Sequence, residues 1–183
     1  MEIKHRHQLP ELLKHFDLPL TAVEVGCAES LHSADLLRNG IEKLYCVDNW
    51  GRIPNQKGDG GFPDSWHQKN FEDSKERLKE YGDKVIFLRG MSVEMAKHIP
   101  DESLGLVYID CDHSYNGVLN DINAYWNKLV DGGIMGFHDF DNPAYAVKEA
   151  VEHFVSGTGI EIHLIPENKK EDAGCWIRKP IAH

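Results

Sequence analysis

The chain has 183 residues, 41% hydrophobic and 27% charged, which suits one globular domain with a core of its own, spanning 1–183. Its 30 acidic residues outnumber 20 basic ones, for a formal net charge of −10. That balance opposes a phosphate backbone, and Lys169-Lys170 is only a pair, so nucleic acid is not an expected partner. No run approaches the ~20 apolar residues of a membrane span, and the segment from Met1 to Arg6 lacks the apolar stretch of a signal peptide, so the expected setting is the cytoplasm.

In chain order, residues 9–16 read as a short helix, part of an N-terminal helical flap over 1–20. Thr21 to Gly26 is a first strand that stops at a glycine. Ser30 to Arg38 is a helix with apolar residues at Leu31, Ala34 and Leu37, ended by Asn39-Gly40. Lys43 to Asp48 is a second strand. From Asn49 to Asp64 the pattern lapses, with Gly51, Gly58, Gly60, Gly61, Pro54 and Pro63, and residues 49–66 are expected to form a lid loop. Trp50, Phe62 and Trp66 border that loop, where such aromatics anchor a lid to the body or cover a ligand ring. A helix ended by Gly82 leads into a third strand, Lys84 to Leu88.

A fourth strand runs into Asp110, and a helix follows Ser114 with Val118, Leu119, Ile122, Tyr125, Trp126 and Leu129 at spacings of three and four. The segment Gly132 to Asp139 is a fifth strand, and Pro143 to Val155 a further helix with Pro143 near its first turn. Ile160–Ile165 and Ala173–Arg178 are joined by a polar turn too short for a helix, so they should pair as an antiparallel hairpin. Alternating strands and helices imply an α/β, Rossmann-like, doubly wound and mostly parallel sheet of seven strands, with that hairpin at its edge. The four cysteines, Cys27, Cys46, Cys111 and Cys175, form no Cys-x-x-Cys pair and are expected to be buried and reduced.

Two segments carry the chemistry: Val107-Tyr-Ile-Asp-Cys-Asp-His-Ser-Tyr115 and Gly132-Gly-Ile-Met-Gly-Phe-His-Asp139. Each is a buried strand ending in acidic or imidazole groups, with one helix between, so the strands should be parallel neighbours. Their ends then bring Asp110, Asp112, His113, His138 and Asp139 to the carboxyl rim, where open α/β sheets bind ligands. At the first turn, Glu24-Val-Gly26-Cys-Ala28-Glu-Ser30 places small residues where a ligand could approach backbone amides, although many such turns are merely tight. Asp48, ending the next strand, could hold a ribose diol, cap a helix or face solvent. A dinucleotide site would show Gly-x-Gly-x-x-Gly; here only the first glycine is retained, and Glu24 beside it disfavours a pyrophosphate.

At Tyr108 to Val118 and Leu129 to Asp139, with Val23-Glu-Val-Gly26 and Val47-Asp48, the chain resembles class I S-adenosylmethionine-dependent methyltransferases, in particular a small-molecule group with an Ile-Asp-x-Asp-His-x-Tyr signature. The resemblance covers about residues 20 to 178. It implies that Glu24 and Gly26, with Ala28 and Ser30 in the same turn, line the cofactor, and that Asp48 holds its ribose. It places Gly90 and Ser92 near the adenine and Asp110 near the sulfonium, and inserts the last strand antiparallel near the sheet edge. Ser30 departs from the family, which often has glycine there. By position, Asp110 and Asp139 would hold a divalent ion, magnesium or manganese, with His138 where relatives carry a second carboxylate, and imidazole favours manganese over magnesium.

The acceptor would be a small molecule methylated at a hydroxyl whose proton goes to a base: Asp112, His113 or His138. Tyr115 would approach it. Against this stand structural readings in which Asp112 caps the following helix and His138 bonds to backbone. The remaining histidines, His32 and His67 among them, read as surface or core residues. Other functions compatible with the pattern are an NAD-dependent oxidoreductase, a metal-dependent hydrolase and a non-catalytic nucleoside-binding module. A homodimer that completes the pocket fits the short chain.

Overall fold

The computed structural model describes residues 1–53, 59–168 and 173–182. Its strands are β1 (Thr21–Val25), β2 (Lys43–Asp48), β3 (Val85–Arg89), β4 (Leu104–Ile109), β5 (Leu129–Phe137), β6 (His163–Ile165) and β7 (Gly174–Arg178). Its helices are α1 (Leu9–His15), α2 (Leu31–Arg38), α3 (Asp64–Leu78), α4 (Ser92–Met95), α5 (Tyr115–Tyr125) and α6 (Val147–Val155). They build a seven-stranded sheet in the order β3-β2-β1-β4-β5-β7-β6. The strands β1 to β5 pair in parallel, whereas β7 lies antiparallel to both β5 and β6. The hairpin and the inserted last strand thus follow the expectation, and β6 runs with the first five.

The sheet is buried on both faces, which is why its strands read as near-continuous apolar runs; all six residues of β4 are buried. The pleat sorts alternate residues into two cores. Val23, Val25, Val107, Ile109, Met135 and Phe137 face Val118, Ile122 and Tyr125 of α5 and Ala150 and Val151 of α6. Ala22, Leu44, Leu106, Tyr108 and Ile134 face Leu36 and Leu37 of α2 and Leu9, Leu12 and Leu13 of α1. Those three leucines are fully buried, so α1 is a packed layer of the fold rather than a flap laid over it.

Several boundaries differ from the sequence reading, each for a specific reason. Leu129 keeps the helical spacing of α5 but opens β5, after a 3-10 turn at Trp126–Lys128. The last helix starts at Val147, not Pro143: the Asn142 side chain accepts from the Ala144 amide and the Ala146 amide donates to the His113 carbonyl, so 143–146 is a pinned turn. Within the expected lid, residues 54–58 lie outside the described residues, a 3-10 turn occupies Asp59–Gly61, and 64–66 already belong to α3. Trp50 is a body anchor, 1% exposed, with its indole N–H donating to the Ala28 carbonyl at 2.8 Å. Cys27, Cys46 and Cys175 are buried, but Cys111 is exposed because it sits beyond the end of β4. Among the described residues no helix is long and apolar enough to cross a membrane.

Candidate active site

A cavity of ≈ 1210 Å³ opens at the carboxyl ends of β1, β2 and β4. Gly26, Cys27, Ala28, Asp48, Gly90, Ser92 and residues 110–115 line it. Gly26 makes this junction possible. Its φ is +89°, and a Cβ there would lie 1.9 Å from the Asp110 carbonyl oxygen. The first and fourth strand ends therefore meet backbone to backbone, with the Asp110 amide donating to the Val25 carbonyl at 2.8 Å.

Asp48 ties the first turn to the second strand. One carboxylate oxygen accepts from the amides of Cys27 and Ala28, both at 3.0 Å, and the other from Trp50 at 2.8 Å. A carboxylate offers about four acceptor positions, so room for a ligand hydroxyl remains but is limited. Glu24 is 2% exposed and accepts from the Ser33 hydroxyl, with His32 Nδ1 3.2 Å away. Ala28 and Ser30 both hold positive φ, 44° and 59°. That left-handed backbone at Ser30 is one glycine adopts at lower cost, the physical counterpart of the family's glycine. Ser30 itself is fully buried and off the cavity wall, its hydroxyl donating to Ser74 at 2.9 Å. The structure thus does not bring Ser30 to the expected cofactor surface.

On the far wall, Ser92 donates to the Asp121 carboxylate and the Tyr125 hydroxyl donates to the Ser92 carbonyl at 2.8 Å. Asp121 is 2% exposed and faces the cavity from α5. Burial pushes its carboxyl up to about 6, with Ser92 opposing and the Asp112 charge adding. Sequence reasoning missed it, although Asp121 beside Ile122 in the apolar stripe was a readable signal.

The acid–imidazole cluster is tight. His113 Nε2 lies 3.1 Å from Asp110 Oδ1 and 3.2 Å from Asp139 Oδ2. His138 Nδ1 lies 3.0 Å from Asp139 Oδ2 and 3.5 Å from Asp110 Oδ1. One donor atom from each of the four falls within 4.8 Å of all the others. The hydrogen bond that makes the β4–β5 juncture, His138 N–H to the Ile109 carbonyl at 3.1 Å, sets the two strand ends side by side. Asp139 takes a φ of 55°, a strained position that Asp tolerates better than most side chains. Asp110 and His113 form the cavity wall, whereas His138 and Asp139 stand behind them.

Burial alone would lower the His138 pKa, but Asp139 and Asp110 outweigh it and raise it. Burial alone would raise Asp110 and Asp139, yet the neighbouring imidazoles hold both below the usual carboxylate range. Both His138 ring nitrogens are buried without an aligned hydrogen-bond partner among the described residues, close though Asp139 is. Donors around a divalent ion at ~2.0–2.2 Å sit on the order of 3 Å apart when adjacent, as these do, so the set fits such an ion with slight contraction. Two imidazoles with two carboxylates suit manganese, iron or zinc better than magnesium.

Asp112 lies outside the cluster. It accepts from the Ser114 amide at 2.9 Å, while Ser114 caps α5 by accepting from Gly117 at 3.1 Å. Tyr115 reaches the cavity wall but pairs its hydroxyl with His153. Trp66 lines the cavity and packs on Phe62 with ring centroids 5.0 Å apart. His32 and His67, both 6% exposed, also line the cavity, so neither is a surface residue.

Residues 23–140, well over half the chain, match a family model described as a methyltransferase domain. An uncharacterised protein, R132, of Acanthamoeba polyphaga mimivirus is 24% identical over 94% of this chain and 75% of its own. The calicheamicin methyltransferase CalS11 superposes with a TM-score of 0.68 at 18% identity, covering 96% of this chain and 80% of that one. The O-methyltransferase NovP gives 0.66 at 19% identity, over 95% and 77%.

Proposed function

Because this chain belongs to the methyltransferase domain family and carries the class I S-adenosylmethionine-dependent fold, we propose that it methylates a hydroxyl of a small molecule. The observation that carries the acceptor chemistry is the convergence of Asp110, His113, His138 and Asp139 beside Gly26. NovP is an O-methyltransferase and CalS11 a TDP-rhamnose 3'-O-methyltransferase, which supports the choice of oxygen. Family membership also favours this reading over an NAD-dependent oxidoreductase or a hydrolase.

S-adenosylmethionine, bound over β1, β2 and β4, supplies a methyl group on a cationic sulfur. Gly26 clears the floor between β1 and Asp110, and Asp48 holds the turn 27–28 in place for the nucleoside. Gly90 and Ser92, held by Asp121, form the adenine side. A divalent ion would be held by Asp110, His138 and Asp139, with His113 as fourth ligand, and would make an acceptor hydroxyl more acidic. The Nε2 of His113 is committed to Asp110 and Asp139, and His138 stands behind the wall. Asp112, half-exposed and with one oxygen free of the Ser114 amide, is then the group placed to take the acceptor's proton.

The net charge argues for a small-molecule acceptor over nucleic acid; a cytoplasmic setting and a homodimer that completes the pocket are further parts of the proposal. The test is transfer of labelled methyl from S-adenosylmethionine to a panel of hydroxyl-bearing compounds with manganese present. Asp112→Asn should lower kcat at least ~100-fold while leaving cofactor affinity unchanged. Equal turnover by the variant would remove Asp112 from the reaction.

A further inference from the structure

We propose that Arg6 is the recognition residue for a ligand carboxylate in this cavity, at the junction of the cofactor and acceptor sites. The inference rests on the methyltransferase reading and adds a residue that no motif announced. Among the described residues lining the cavity, Arg6 is the only lysine or arginine, whereas six carboxylates share the wall. A guanidinium is the fork that matches a carboxylate with two parallel hydrogen bonds. In so acidic a cavity a monoanion is the anion that fits, and a phosphate dianion would meet the repulsion of the remaining carboxylates.

The guanidinium faces the Tyr108 hydroxyl and holds no carboxylate among the described residues. Its own backbone is pinned elsewhere: the Arg6 amide donates to Glu167 Oε1 at 2.6 Å, and the Glu167 amide donates to the Lys4 carbonyl at 3.0 Å. The side chain itself enters no ion pair among the described residues. Burial opposes its charge, and Tyr108, Asp110 and Glu167 more than offset that, so it stays a cation. It lines the cavity together with Asp110 and His113, at the tip of β4.

A second observation is that polar groups on and behind this wall lack partners among the described residues. Tyr108, the side chain most strongly coupled to Arg6, is fully buried, and its hydroxyl lacks a well-formed hydrogen bond. The Tyr108 ring packs on His32, centroids 4.3 Å apart, and His32 Nε2 is also unpartnered. A carboxylate seated on Arg6 has about four acceptor positions, enough for the fork, while Tyr108 backs the guanidinium from the core, off the cavity wall. Two sources fit that place: the amino-acid end of the cofactor, and an acidic group on the acceptor.

Calorimetric titrations of the full chain and of Arg6→Gln separate them. If the cofactor supplies the carboxylate, Arg6→Gln weakens S-adenosylhomocysteine ~10–100-fold and leaves its decarboxylated analogue unchanged. If the acceptor supplies it, S-adenosylhomocysteine affinity is unchanged. The saturated wild type then binds 3,4-dihydroxybenzoate more tightly than 3,4-dihydroxybenzamide, and Arg6→Gln abolishes that preference. Arg6→Lys, which keeps the charge without the fork, should recover part of either loss. An equal effect on acidic and neutral ligands, or no effect in either arm, overturns the subsite while leaving the methyltransferase reading intact. Failure of the wild type to bind S-adenosylhomocysteine at all overturns both.

Discussion

Gly26→Ala is the substitution whose cost the geometry states most directly. The new Cβ would lie 1.9 Å from the Asp110 carbonyl oxygen, 2.5 Å from its carbon and 2.9 Å from the Cys111 Cα. None of these is a flexible side-chain end, so the backbone of the first turn or of the β4 tip must move by more than an ångström. A non-glycine residue at positive φ costs ~1–2 kcal/mol, and overpacking a rigid site adds ~1–3 kcal/mol. The sum, ~2–5 kcal/mol, corresponds to a fall of about 10 °C in Tm for a chain of this size. Gly157→Ala is the internal control: its φ is also positive, at 74°, but nothing lies within 4 Å of a Cβ there. It should lose only the conformational ~1–2 kcal/mol. Thermal unfolding by circular dichroism, with calorimetric titration of S-adenosylhomocysteine, reads both effects. Gly26→Ala should unfold several degrees below Gly157→Ala and lose cofactor affinity because Asp110 is displaced. Equal melting temperatures for the two variants, with binding intact, would refute the close-approach argument.

Asp121 gives a pH signature. Its folded pKa, about 6, exceeds that of an unfolded aspartate, so the folded state binds the extra proton between ~4 and ~6. Stability from this group is therefore full below pH ~4 and lost as pH rises through about 6, a change of order 2–3 kcal/mol. Urea unfolding at pH 4.5 and 7.5 should show Asp121→Asn gaining on the wild type at the higher pH, and a pH-independent difference would contradict the assignment. Asp48→Ala leaves the amides of Cys27, Ala28 and Trp50 without their acceptor. It should cost about 2–4 kcal/mol and abolish S-adenosylhomocysteine binding; normal binding would show that the 27–28 turn does not need Asp48. His138→Ala and Asp139→Asn should each weaken manganese binding at least ~10-fold by calorimetry, and unchanged affinity would remove the cluster as a metal site.

The sheet was legible because parallel strands buried on both faces are apolar runs ending where ligands bind, and the acidic rim sat at two of those ends. Gly26 was legible as a stop but not as a contact, because the Asp110 backbone it admits comes from 84 residues further on. The start of α6 was misplaced because a proline just ahead of the run Ala144-Tyr-Ala-Val147 resembles a helix start. What overrides it is the Asn142 side chain and the distant His113 carbonyl. Asp112 and His113 read as equivalent candidate bases, and only the 3.1 and 3.2 Å contacts of His113 set them apart. Arg6 carried no signal of its own. Its place depends on Glu167, which holds the N-terminal segment from the far end of the chain. Ser30 was read by spacing as a cofactor contact, but its left-handed backbone turns the side chain into α3.

Titration of the wild-type chain with S-adenosylhomocysteine, with NAD as control and manganese present or absent, is the most direct test. Micromolar binding of the thioether product with no uptake of NAD is the expected result. Absence of S-adenosylhomocysteine binding with and without metal would contradict the assignment of this cavity as a methyl-donor site.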